Sequence, residues 1–177
     1  YGPKGVGCLY IKKGIVVSPI IHGGGQERGL RSGTENVPGI VGFAKALEIA
    51  QSERVKESER QCKLRDCFIE EVLRRIPGAV LNGHKTFRLP NNINVSFPDI
   101  EGDTLELYLD AKGIYVSTGS ACSSTSMEPS HVLTAIGREP HLALGTIRMT
   151  LGKSTTKDDL DIALEGLVAS VQKLRRK

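Results

Sequence analysis

In Asn91-Asn92-Ile93-Asn94-Val95-Ser96-Phe97, polar and apolar residues alternate from Asn92 onward. Successive side chains of a strand point to opposite faces, so this stretch predicts a strand with Ile93, Val95 and Phe97 on a core and Asn92, Asn94 and Ser96 facing away. The residues before it follow another period. Leu64, Phe68, Val72 and Ile76 recur every four positions, as on a helix face, until Pro77-Gly78 stops the run. The change of period makes the region from Ala79 onward an α+β unit.

On the N-terminal side, the helix traces back to Val37-Pro38, a first turn that tolerates proline. Ile40, Phe43, Ala44 and Leu47 mark its first apolar face. Residues 51–61 are almost wholly polar without a breaker. One long helix is predicted, packed at both ends, and such a helix often bridges two domains. Further back, Val6 to Ile11 and Ile15 to Val17 read as two short strands around the turn Lys12-Lys13-Gly14, an antiparallel hairpin. Between hairpin and helix, residues 21–36 hold five glycines with Arg28, Arg31 and Thr34. Glycines let a backbone approach a ligand closely, and these side chains donate to anions, so the loop reads as an anion site rather than a floppy surface loop. No Gly-Lys-Ser/Thr follows the glycines, which excludes a Walker motif.

On the C-terminal side, Ala79 to Leu81 is a brief strand. Asp103 with Glu106 looks like a capping box opening a helix with Leu105, Tyr108 and Leu109 inward, ended by Gly113. Ile114 to Val116 is a strand that empties into Ser117-Thr118-Gly119-Ser120-Ala121-Cys122-Ser123-Ser124-Thr125-Ser126. These residues are small and polar, so Cys122 sits on an accessible loop and is a candidate nucleophile; a turn that merely contains a cysteine is the bland alternative. Pro129 starts a short helix through Ile136. Thr146 to Leu151 alternates, with Ile147, Met149 and Leu151 on one face and Arg148 on the other. An arginine there can hold a carboxylate bidentately, but spacing alone favours a surface arginine on a half-exposed sheet. Thr156 with Asp159 caps the last helix, whose stripe runs Leu160, Ala163, Leu164, Leu167, Val168, Val171 and Leu174.

Composition bounds the rest. The chain has 177 residues, 39% hydrophobic and 25% charged, which predicts a packed core. A net charge of +4 with 5% aromatics gives no nucleic-acid stripe. No apolar run approaches the length of a membrane span. The four cysteines, Cys8, Cys62, Cys67 and Cys122, form no CxxC pair, which argues against zinc and for reduced, cytoplasmic thiols. Residues 1–50 are expected to be the edge of a larger domain, 51–78 a bridging helix, and 79–177 a small domain carrying the cysteine loop.

Together these stretches resemble the NifS-like cysteine desulfurases, pyridoxal-phosphate enzymes of the fold type I aminotransferase superfamily. The matching motifs are Tyr1-Gly2-Pro3-Lys4-Gly5-Val6-Gly7, His22-Gly23-Gly24-Gly25-Gln26-Glu27, Arg31-Ser32-Gly33-Thr34-Glu35-Asn36, Leu89-Pro90-Asn91-Asn92-Ile93-Asn94-Val95-Ser96-Phe97, Ser120-Ala121-Cys122-Ser123 and Ile147-Arg148. The resemblance implies an α/β fold: the end of the large-domain sheet, a long bridging helix and a small domain with a mainly antiparallel sheet. It implies that Cys122 takes sulfur from L-cysteine as a persulfide, leaving L-alanine. It also implies that Arg148 pairs the substrate carboxylate, reversing the preference from spacing, and that Thr34 reaches the phosphate of pyridoxal 5'-phosphate in the partner subunit of a homodimer. Iron–sulfur scaffolds or other sulfur acceptors are the implied partners. The family's cofactor lysine lies just before the segment matching Tyr1; Lys4 matches another position. The chain is therefore expected to be a C-terminal portion, catalytically incomplete without an upstream cofactor-binding half. The resemblance gives no duty to Arg28, Arg31 or His22. Two rivals are a selenocysteine lyase and a non-catalytic dimerisation or scaffold-docking module. A hydrolase pairing Cys122 with His22, His84, His131 or His141 has no motif behind it.

Overall fold

The structure, a computed structural model, describes residues 1–118 and 129–176. It divides into two units, Tyr1–Val55 and Lys56–Lys177, and the division falls inside α1 (Val37–Arg75), the single long helix that the apolar spacing predicts.

The second unit is built on a four-stranded antiparallel sheet of order β1-β2-β4-β3, with β1 Val80–Leu81, β2 Asn92–Ser96, β3 Ser117–Thr118 and β4 Thr146–Thr150. Its register sets Ile93 opposite Met149 and Val95 opposite Ile147, so alternation on both strands sends the same apolar set to one face. That face carries the core. Phe68 and Val72 of α1 pack against it, as does Ile76 just past the end of that helix, with Leu105 and Leu109 of α2 (Gly102–Asp110) and Leu164, Leu167 and Val171 of α5 (Lys157–Arg175). Each such aliphatic side chain, taken wholly out of water, contributes about 1.5–3 kcal/mol. The stripe predicted for α5 is the packed one, and its N-terminus carries the predicted capping box: Thr156 N donates to Asp159 Oδ2 at 2.8 Å, and Asp159 N to Thr156 Oγ1 at 3.2 Å.

The predicted hairpin of residues 6–17 is not formed; that segment holds no strand. Its apolar side chains lie in water, with Tyr10 84% and Val16 93% exposed. A lone hairpin is marginal without a third strand or a packed face, and nothing in the unit supplies either. Asp103 with Glu106 is not the cap of α2. The helix starts a residue earlier, with Glu101 as N-cap and no side-chain cap bond. The strand predicted at Ile114 to Val116 pairs instead at Ser117–Thr118. Gly113 ends the helix at φ 74° and Ile114 N donates back to Leu109 O at 3.0 Å, so the chain needs three more residues to reach β4. Ser96, expected to face away into water, is wholly buried because a second layer covers its end of the sheet. That layer is α3 (His131–Ala135) and α4 (Pro140–Leu144). The sequence reading named no helix at α4, although Glu139-Pro140 is a helix-opening pair.

Candidate functional site

The sheet's second face is polar. Across three strands the register sets Asn94 of β2, Arg148 of β4 and Ser117 of β3 in one row. Directly opposed residues of antiparallel strands project to the same side, with Cβ atoms about 5 Å apart. Arg148 is therefore flanked by an amide and a hydroxyl. It is exposed, and among the described residues its guanidinium has no hydrogen-bond or ion-pair partner. A planar cation standing free on a polar floor can take a carboxylate in bidentate fashion.

The two ends of this face differ. Toward α4 it is closed: Ser96 and Thr146 are buried, their hydroxyls 2.6 Å apart, and Thr146 Oγ1 donates to Leu142 O at 3.1 Å. Asn82, just past β1 and 3% exposed, donates through Nδ2 to Asn94 Oδ1 at 2.7 Å and to Ser96 Oγ at 2.8 Å. Arg138 Nη2 donates to Leu81 O at 3.2 Å, and Arg88 Nη2 donates to Asn82 O. Burial pushes the Arg88 guanidinium down from its ordinary value, and the nearby positive charge of Arg65 adds to that. Toward Arg148 and Thr150 the face is open to water.

Cys122 lies outside the described residues. The chain reaches it from β3, whose Ser117 pairs with Arg148 and whose Thr118 pairs with Ile147, and residues 119–128 follow at once. The fold thus starts the cysteine segment on the strand beside the arginine. The other described thiols are elsewhere: Cys8 and Cys67 are exposed, and Cys62 is half-buried. A groove of about 480 Å³ opens on the opposite, apolar side of the sheet, lined by Phe68, Ile93, Tyr115, Met149, Leu160 and Ile162. Arg148 is not among the residues that line it.

Thr34 belongs to the first unit. The glycine-rich segment there folds on itself: Ser32 Oγ donates to Gly24 O at 2.8 Å and Gly33 N to Gln26 Oε1 at 3.2 Å. Gly33, at φ 113°, turns the chain into Thr34, whose side chain is exposed and unbonded among the described residues. A free hydroxyl beside glycine and the exposed Arg28 and Arg31 is a donor set that fits a phosphate group. Sequence reasoning missed the Asn82–Ser96–Thr146 network. The clue was the run of hydrogen-bonding side chains at every outward position of both β2 and β4.

Comparison with known proteins names the group to which these features belong. The curated relatives include a protein named cysteine desulfurase IscS from Dictyoglomus turgidum, 57% identical over 99% of this chain, and one from Methanosarcina thermophila, 55% identical over 98%. The chain spans 44% and 43% of those proteins. Among solved structures, a NifS-like protein superposes with a TM-score of 0.85 at 44% identity, covering 97% of this chain and 44% of that one. A NifS-like protein from Rickettsia africae superposes at 0.77 and 28% identity, covering 92% of this chain and 41% of that one. A family profile described as Aminotransferase class-V matches residues 1–163, and the chain belongs to that family.

Proposed function

We propose that this chain is the C-terminal portion of a cysteine desulfurase, which moves sulfur from L-cysteine to Cys122 and releases L-alanine. The observation that carries the reading is the row Asn94–Arg148–Ser117, with an unpaired guanidinium beside the strand that leads into the cysteine segment. The names of the relatives support it.

Arg148 holds the substrate carboxylate and so fixes the amino acid's orientation against the approaching thiol. Cys122 reacts as the thiolate, the nucleophilic form. Its sulfur bonds to the substrate sulfur, and the substrate carbon–sulfur bond breaks. The electron pair of that bond stays with carbon, which takes a proton to become L-alanine. Cys122 is left as a persulfide, the form passed to an iron–sulfur scaffold or another acceptor protein. Bound pyridoxal phosphate supplies the electron sink for this cleavage. Thr34 donates to its phosphate in the partner subunit of a homodimer. Residues 1–50 belong to a larger cofactor-binding domain, residues 51–78 bridge, and residues 79–177 are the small domain. The exposed apolar side chains of residues 9–21 are then covered by more of that larger domain. The longer protein works in the cytoplasm, and no described helix is long and apolar enough to cross a membrane.

The test is a product balance. Full-length protein loaded with pyridoxal phosphate, given L-cysteine and a thiol reductant, forms alanine and sulfide in equal amounts. Sulfide without alanine would mean a different carbon–sulfur cleavage and would sink the reading.

A further inference from the structure

The hydrogen bonds behind Arg148 have a direction, and it can be worked out from one end. Leu142 O can only accept, so Thr146 Oγ1 spends its proton there. The Ser96 hydroxyl, 2.6 Å from Thr146 Oγ1, must then be the donor of that pair. With its proton used, Ser96 Oγ can only accept from Asn82. Asn82 therefore presents Nδ2, and the second hydrogen of that amide goes to Asn94 Oδ1. With Oδ1 held inward, Asn94 turns its own Nδ2 the other way. Among the described residues that Nδ2 has no partner, and neither has the guanidinium of Arg148 beside it in the row. Asn82 Oδ1 is buried without a partner, a cost accepted to keep this orientation.

Two outward donors side by side, one charged and one neutral, ask for an anion with two oxygens. We propose that Asn94 is the second donor to the carboxylate held by Arg148, and that Asn82, Ser96 and Thr146 are positioning residues that keep its amide facing out. This rests on the desulfurase reading above. An asparagine free to flip would present an oxygen to the carboxylate half of the time. The relay removes that state by chaining the amide to a backbone carbonyl of α4.

The experiment uses full-length protein loaded with pyridoxal phosphate. Asn94→Asp changes one atom group and replaces the outward donor with an acceptor. The Michaelis constant for L-cysteine should rise about tenfold or more, with kcat changing less. Asn94→Ala, which adds no charge, should move the same way by a smaller factor. Thr146→Val cuts the relay while keeping shape, and should raise the constant about threefold. Competition by cysteamine, which has no carboxylate, should be unaltered in all three. Equal weakening of cysteamine would mean general disruption and overturn the inference. An unaltered constant for cysteine in the Asn94 variants, with Arg148→Ala raising it, would overturn the inference and leave the desulfurase reading standing. Unaltered constants in Asn94 and Arg148 variants alike would remove both.

Discussion

Arg148 shows how position converts an ordinary residue into a candidate ligand. Strand alternation alone puts it on the polar face, where most arginines are solvated and idle. What changes its standing is its company: the central strand, Asn94 on one side, Ser117 on the other, and no described partner. Arg148→Ala in the full-length enzyme should therefore raise the Michaelis constant for L-cysteine by about tenfold to a hundredfold, since charged hydrogen bonds to a carboxylate are among the stronger ones. Melting temperature should barely move, because the side chain is exposed and its strand neighbours keep their ladder. Steady-state kinetics beside thermal denaturation checks both halves. An unaltered constant would contradict the carboxylate role.

At the scale of elements, two junctions decide how the second unit is held. One is Gly145, between α4 and β4. A Cβ there would run into the carbonyl oxygens of Phe97 and Ile100, and backbone cannot swing aside as a side chain can. Gly145→Ala should cost about 2 kcal/mol or more, the range of overpacked sites, as read by denaturant unfolding; an unshifted midpoint would contradict the tight approach. The other is the start of α5. Bonds from the backbone N–H and hydroxyl of Thr156 hold the Asp159 carboxyl below its ordinary value of 3.8. A lowered folded-state value means that this cap contributes stability above the unfolded value and loses it as pH falls through the folded one. Wild type should thus melt above Asp159→Asn at neutral pH, and the gap should close below pH 3.8. A gap constant across the acid range would mean that the charge is not what caps the helix.

These junctions also mark how far sequence carries. The alternation of Asn92 to Phe97, the stripe of α5 and its capping box are local patterns, and each survives in the structure because the packing around it agrees. The register of β2 on β4 is not local. It pairs residues 50 or more positions apart, so the row Asn94–Arg148–Ser117 and the relay to Leu142 are invisible until the strands are laid side by side. Ser96 reads as solvent-facing for the same reason: nothing nearby in sequence announces that α4 will cover it. The false hairpin at residues 6–17 is the converse case, where strand-like residues lack a sheet to join.

Over the whole molecule, the chain forms two units, Tyr1–Val55 and Lys56–Lys177, with the boundary inside α1, and the site proposed above lies on the polar face of the sheet in the second. In the proposed reaction sulfur moves to Cys122 Sγ, and one measurement addresses that directly. Full-length protein loaded with pyridoxal phosphate is mixed with L-cysteine without reductant, trapped with an alkylating reagent and digested, and the peptide carrying Cys122 is weighed. One additional sulfur atom is expected on Cys122, removed by a thiol reductant and missing in Cys122→Ser, which still binds the cofactor. Alanine formed at an undiminished rate by Cys122→Ser, with no sulfur added to Cys122 in the wild type, would contradict it.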